Sequence, residues 1–357
     1  MLIKRNFEIH KNILNFTPPM AKEISKLFPQ LEKAKNVVIT THAKPDGDAM
    51  GSSLALSNIL IQMGHHVNVI TPTDYPDFLD WLPGNDKVLI YPDKKNISDQ
   101  LIANADLIFC LDFNDLGRIR LMTTSVSESK AKKIMIDHHM YPSDFDDFRL
   151  ARTSASSTAE LIYEFLILLN GKAELNTDIS NCIYTGIMTD TGSFRFDSTT
   201  SEVHKIISSL IDQGIDVAKI HNLVYDSFSE NRLRFLGHVL LNKMVLIPEH
   251  KAAYIALEKE DMEKFSLKTG DTEGVVNYPL GINGIEISAM ITDRTQNKDS
   301  EKEIRLSLRS IGDFPVNELS MRYFNGGGHK NAAGGQTNTS VQETVEIFKN
   351  ALKTFQK

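Results

Sequence analysis

Cysteine is nearly absent from this chain: Cys110 and Cys182 are the only two in 357 residues, and each sits inside an apolar run. Two such residues cannot build a disulfide framework, and they read as buried thiols in a reducing compartment. Long apolar runs are missing as well. None approaches the roughly 18 residues that a membrane span needs. The opening MLIKRNFEIHKNIL shows no apolar core ahead of a small-residue cleavage site, so no secretory signal is expected. A cytoplasmic protein with no membrane segment is the expectation. Positive charge is short: 39 Lys and Arg stand against 46 Asp and Glu, a net charge of −7, and all of the acidic excess lies before residue 286. Proteins that track long nucleic acid carry a basic face. A nucleic-acid substrate here would be short and held by a few placed groups. Internal repeats and low-complexity tracts are also lacking.

What the chain has is apolar content, 41% of its residues, and a length that suggests two domains. The first half alternates short apolar runs with helical periods. Asn36–Thr41, His66–Ile70, Leu107–Leu111 and Lys133–Ile136 read as strands. Ala49–Gly64 reads as a helix stopped by Gly64, and another helix is expected between Leu111 and Lys133. This alternation predicts an α/β fold, a mainly parallel sheet with helices on both faces. Residues 156–169, 177–191 and 202–213 carry helical spacing. Beyond them, Met244–Pro248 and Ala252–Leu257 read as a hairpin around PEHK, Ile285–Thr292 and Glu303–Ser310 as strands, and about 341–355 as a final helix. The expected plan is an α/β domain over 1–199, a helical linker over 200–238 and a smaller α+β domain over 239–357, with the active-site cleft between the two domains.

Chemistry-bearing residues gather where strands end. His42, Asp46 and Asp48 follow the first strand and open a helix, at the sheet edge where open α/β folds hold ligands. One imidazole and two carboxylates suit a manganese-like cation. Gly47 and Gly51 permit close backbone approach, and a helix N-terminus favours anions. Asp112 directly follows LIFCL, where a carboxylate is costly unless paired or metal-bound. Asp137-His138-His139 follows KIMI. In extended chain the two histidines would point to opposite sides and so have separate jobs. Asp190 sits late in an apolar helix. Singly, each has an ordinary reading: Asp46, Asp48 and Asp112 as helix caps, and a histidine pair as chance, as His65-His66 shows. Together they supply two histidines and four aspartates, the ligand count for two cations sharing a carboxylate. Gly326-Gly327-Gly328-His329-Lys330-Asn331 is either a tight turn or an anion-holding loop.

This ordered set resembles the four motifs of the DHH phosphoesterases. Gly326–Gly335 is similar to the signature of the DHH-associated domain that accompanies one branch of that family. Within it, Thr40-Thr41-His42, Asp112 with Arg118, Thr189–Phe196 and Arg309-Ser310 resemble the stand-alone bacterial nanoRNases, which are oligoribonucleases and pAp phosphatases. Met321, where a small residue is usual, fits less closely.

The resemblance implies two divalent cations, manganese foremost. His42 and Asp46 would bind one, Asp48, His138 and Asp190 the other, and Asp112 would bridge them. His139 would face the phosphate and act with Asp112 in catalysis. Arg118, Arg309, His329 and the Gly327-Gly328 backbone would hold phosphate or nucleotide, and Asn331 would fix the loop or touch ligand. The implied reaction releases nucleoside 5′-monophosphates from RNAs of about two to five nucleotides, and AMP and phosphate from pAp. A hydrolase of cyclic di-adenylate or pApA is the rival enzyme, and a nucleotide-binding regulator with structural metals is the rival of another class. Homodimer formation is left open.

Overall fold

The computed structural model describes residues 24–268, 270–295 and 300–355. The N-terminal stretch in which no secretory signal is expected lies outside them. The chain divides into two compact units, with the division between Ser227 and Phe228.

The first unit is built on six parallel strands: β1 (Asn36–Thr41), β2 (His66–Thr71), β3 (Leu89–Ile90), β4 (Leu107–Leu111), β5 (Lys132–Asp137) and β6 (Phe148–Ala151), in the order β3-β2-β1-β4-β5-β6. Its helices are α1 (Gly47–Gln62), α2 (Lys95–Ala103), α3 (Thr123–Glu128), α4 (Thr158–Leu168), α5 (Thr177–Asp190), α6 (Ser201–Ile211) and α7 (Val217–Tyr225). The central strands are continuous apolar runs because both faces are covered. The pleat sorts their side chains between two cores. Val37, Ile39, Leu107, Phe109 and Leu111 join residues of α1, α4 and α5 on one face. Val38, Ile108 and Cys110 join Ile102 of α2 and Val126 of α3 on the other. Both cysteines are buried and free. Helices α6 and α7 add Val203, Ile206, Leu210, Ile220 and Val224 to the first core. β1 leads to β2 on one side, while β4 lies on its other side. Strand order therefore reverses between β1 and β4, and open sheets of this kind bind ligands beyond the carboxyl ends at such a point.

The second unit holds a mixed sheet of β7 (Met244–Ile247), β8 (Ala252–Leu257), β9 (Ile287–Asp293), β10 (Ile304–Ser310), β11 (Gly327–His329) and β12 (Ala332–Thr337), in the order β11-β12-β10-β9-β8-β7. Among the described residues of this unit, only β8 and β9 pair in parallel. One face packs on α10 (Val316–Tyr323) and α11 (Val341–Thr354) through Leu319, Phe324, Val345 and Phe348. Phe235 and Val239 of α8 (Glu230–Asn242) join Ile255 and Leu257 on the other, near the short α9 (Lys259–Glu263). Among the described residues, no helix is long and apolar enough to cross a membrane.

Candidate functional site

His42, Asp112 and His138 each stand one residue past the carboxyl ends of β1, β4 and β5. The ring Nδ1 of His42 lies 3.0 Å from its neighbour's carbonyl at Ala43, and that of His138 lies 3.3 Å from the Ala155 carbonyl. A neutral ring that donates there leaves a lone pair on Nε2, an arrangement typical of metal-ligating histidines. In both rings Nε2 faces carboxylates. His42 Nε2 is 3.4 Å from Asp112 Oδ2 and 3.8 Å from Asp46 Oδ2. His138 Nε2 is 3.5 Å from Asp112 Oδ1, 3.4 Å from Asp190 Oδ2 and 3.9 Å from Asp48 Oδ2. The two contacts to Asp112 are weak, long hydrogen bonds, and the others act through charge alone. Around an octahedral cation with bonds of about 2.1 Å, adjacent donors stand about 3 Å apart and opposite ones about 4 Å. Asp112 belongs to three donor groups, His42-Asp46-Asp112, Asp48-Asp112-His138 and Asp112-Asp137-His139.

The carboxylates are held by backbone as much as by side chains. Asp46 caps α1: its Oδ1 accepts from the Asp48 and Ala49 N–H groups, both at 3.1 Å, which leaves Oδ2 for the site. Capping and site-facing are thus two oxygens of one residue, not alternatives. Asp48 is not a cap. Its two oxygens accept from the first N–H groups of α4, Thr158 at 2.6 Å and Ala159 at 2.8 Å. The Thr158 hydroxyl donates to Asp112 Oδ1 at 3.0 Å. One helix N-terminus therefore anchors two buried carboxylates, a favourable end of the macrodipole for both. Behind it, Arg152 pairs with the buried Glu160 and Glu164 of α4 at 2.7 and 2.6 Å.

Gly47 and Gly51 serve helix packing. A Cβ on Gly51 would meet the Cys182 carbonyl of α5 at 2.5 Å, and one on Gly186 would lie 2.9 Å from Asp48 Oδ1.

His138 and His139 do not diverge as an extended chain would make them. Strand β5 ends at Asp137, and the two rings stand 4.9 Å apart edge to face. They still differ in connection. His139 uses Nδ1, not Nε2, toward acids, 2.7 Å from Asp137 Oδ1 and 3.6 Å from Asp112 Oδ1. Asp137 is fully buried.

Electrostatics follow from this crowding. Burial, then the charges of Asp112 and Asp190, push the Asp48 carboxyl well above its ordinary 3.8, against the pull of His138. Burial alone would lower both histidines. The hydrogen bond to Asp112 and the charges of Asp46 and Asp112 raise His42 instead, and Asp190 and Asp112 raise His138 well above 6.5. Burial would raise Asp112, but the hydrogen bonds from His138 and His42 and the nearby imidazoles hold it well below 3.8. The cluster thus retains protons. Four converging carboxylates with two imidazoles make a donor set that divalent cations fit, since a positive charge there would replace those protons.

Arg118 is half-buried; its carbonyl accepts from Ala43 N–H at 2.8 Å, and its charge acts on His42. In the second unit, Arg309 and His329 both pair with Ala332, which puts them in one row on one face of the sheet. Asn331 Nδ2 donates to Ser310 Oγ at 2.8 Å and to the Gly312 carbonyl at 3.0 Å, so it ties the loop. Gly328 has φ of +141° and no room for a Cβ beside the Ala332 carbonyl, whereas Gly327 has open space. Sequence reasoning missed Asp137 as the partner of His139, and Thr158-Ala159 as the anchor of Asp48. The Ser157-Thr158-Ala159-Glu160 pattern of a capped helix start was the available signal.

Residues 36–187 match the DHH family N-terminal domain, and residues 250–357 match the DHHA1 domain. The chain is 29% identical over 313 residues to the bifunctional oligoribonuclease and PAP phosphatase NrnA of Bacillus subtilis (strain 168), covering 87% of this chain and 92% of that one. The crystal structure of an exopolyphosphatase-related protein from Bacteroides fragilis superposes with a TM-score of 0.85 at 42% identity, covering 93% of this chain and 96% of that one. RecJ from Thermus thermophilus, solved in complex with Mn2+, shares the fold with a TM-score of 0.53 at 12% identity, over 96% of this chain and 55% of that one. The chain belongs to the DHH family of phosphoesterases, with a DHH N-terminal domain followed by a DHHA1 domain.

Proposed function

We propose that this protein hydrolyses short oligoribonucleotides to nucleoside 5′-monophosphates, and pAp to AMP and phosphate, with the help of two divalent cations. The observation that carries the reading is Asp112, a buried carboxylate that the His42-Asp46 and Asp48-His138 donor groups share. His42, Asp46 and Asp112 would hold one ion, and Asp48, His138, Asp190 and Asp112 the other. Manganese suits this mixture of imidazole and carboxylate. Two such ions, when bound, lower the pKa of water and brace the attacking and leaving oxygens of an in-line displacement.

The chain's own groups do the positioning. The α4 N-terminus fixes Asp48 and Asp112. Asp137 orients His139, which presents Nε2 to the phosphate. Arg118 brings positive charge beside His42. In the DHHA1 unit, Arg309, His329 and the Gly327-Gly328 backbone supply further contacts to phosphate or nucleotide. Two buried free thiols favour a reducing, cytoplasmic setting. The relative from Bacillus subtilis, named for both activities, supports this choice of substrates.

The test is turnover by the purified protein with manganese. The panel is an RNA ladder of about 2 to 24 nucleotides, pAp, pApA, cyclic di-adenylate and inorganic polyphosphate. The acidic chain gains little from each extra phosphate, so rates should be highest on the shortest RNAs and fall steeply along the ladder. Equal rates on the longest RNA, or a clear preference for a di-adenylate or polyphosphate, would overturn the assignment.

A further inference from the structure

We infer that Tyr141 is a stacking platform for a nucleobase of the substrate, an inference that rests on the reading just proposed. Tyr141 follows the histidine pair by two residues, so its Cα lies within about 7 Å of that of His139. Among the described residues it is the most exposed large aromatic, at 75%. An exposed tyrosine is ordinary by itself. This one also holds a φ of +61°, the left-handed region that a bulky residue enters only at a cost.

The strain is imposed from the catalytic loops. Asn114, two residues past Asp112, donates from Nδ2 to the Met140 carbonyl at 2.6 Å. Its own carbonyl accepts from the Ser143 N–H at 2.8 Å and from the Ser143 hydroxyl at 3.2 Å. The turn is thus pinned on both sides of Tyr141 to the segment that carries Asp112. Among the described residues Tyr141 makes no side-chain hydrogen bond, ion pair or ring contact. A strained turn that displays a ring to solvent gains nothing within this fold. It gains if a flat partner lies on the ring.

The partner's chemistry follows from the neighbours. A phosphate held at the centre by the two cations of the proposed function would bring its own nucleoside toward residues beside His139. Every nucleobase has a π-face, so a phenol ring would accept any base and favour the larger purines. Stacking of this kind would let the site hold short RNA of mixed sequence.

The experiment measures kcat and KM for wild type, Tyr141→Phe and Tyr141→Ala on an RNA dinucleotide and on the same dinucleotide with one base removed, taking each position in turn. Circular dichroism confirms folding, and manganese half-saturation confirms an intact centre. Tyr141→Ala should raise KM for the full dinucleotide about tenfold or more, with kcat changed far less, and Tyr141→Phe should stay near wild type. For one of the two abasic substrates the Ala effect should vanish. An active wild type whose Ala variant keeps its KM, or loses equally on both abasic substrates, refutes the stacking role alone. So does a Phe variant as impaired as Ala. A wild type that turns over no short RNA refutes the proposed function, and the platform with it.

Discussion

The substitution Asp112→Asn replaces one carboxylate oxygen with an amino group and removes one negative charge from the centre of the site. Asp112 Oδ1 accepts the Thr158 hydroxyl at 3.0 Å and lies 3.5 and 3.6 Å from His138 Nε2 and His139 Nδ1, while Oδ2 is 3.4 Å from His42 Nε2. The amide can keep the threonine bond through its remaining oxygen. It cannot serve two cations, so both donor groups fail together. Turnover should fall on the order of 10³-fold, about 4 kcal/mol of transition-state stabilisation. Binding to the folded state should also be lost. At 100 times its dissociation constant a ligand stabilises by about 2.7 kcal/mol, which for a unit of this size is a rise in melting temperature of roughly 5–10 °C. Without metal, two effects of the substitution oppose: Asp48 is relieved of a neighbouring charge, and His42 and His138 lose an acceptor. The metal-free melting temperature should therefore move little. The assay is thermal unfolding with and without manganese, alongside initial rates. A variant that keeps the wild-type manganese shift, or turnover within about tenfold, would show that Asp112 is shared by no ions.

Metal-free protein should lose stability as pH rises above 6.5. His42 and His138 have raised folded pKa values, so their contribution is complete below the unfolded value and disappears as pH passes through the folded ones. Asp48 acts in the same direction, Asp112 is already ionised there, and thermal melts in chelator across that range should show a decline that saturating manganese removes. Gly186→Ala would put a methyl group 2.5 Å from the Ala159 Cβ and 2.9 Å from Asp48 Oδ1. It should cost about 1–3 kcal/mol by denaturant unfolding and weaken manganese half-saturation, whereas unchanged values would mean that α1, α4 and α5 can separate freely. Arg309→Ala should raise KM by about thirtyfold or more if the guanidinium pairs with a phosphate, with manganese half-saturation unchanged, and an unaltered KM would remove Arg309 from the substrate contacts.

The sequence made the centre of the first sheet legible because β1, β4 and β5 are covered on both faces and so appear as unbroken apolar runs. Its edges were not. Leu89–Ile90 is two residues long, and Phe148–Ala151 has one buried residue in four, so neither stands out from loop. The acids and histidines were legible as a set because strand ends place them. Their supports were hidden for a different reason. Thr158 and Ala159 act on Asp48 through backbone N–H groups, which every residue but proline possesses, and no side-chain pattern reveals that use. His138 and His139 also show the limit of periodicity: alternation predicts direction only while the strand lasts, and β5 stops one residue too early. In the second unit β11 and β12 are written in glycine and alanine, which carry little strand signal. Their pairing depends on backbone approach that only glycine allows at Gly328.

The two N–H bonds from α4 have one more effect, on which ion the site will accept. A carboxylate has about four lone-pair sites. At Asp48 one on each oxygen is already taken, by Thr158 and by Ala159. What remains is one direction per oxygen, in a plane that the helix end has fixed. Such a carboxylate cannot swing from one-oxygen to two-oxygen attachment when coordination number changes. Calcium takes six to eight oxygens at about 2.3–2.6 Å and depends on that freedom. A smaller octahedral ion does not. Rigidity at one helix terminus thus becomes discrimination by ionic radius, and calcium should occupy the place poorly and support little turnover.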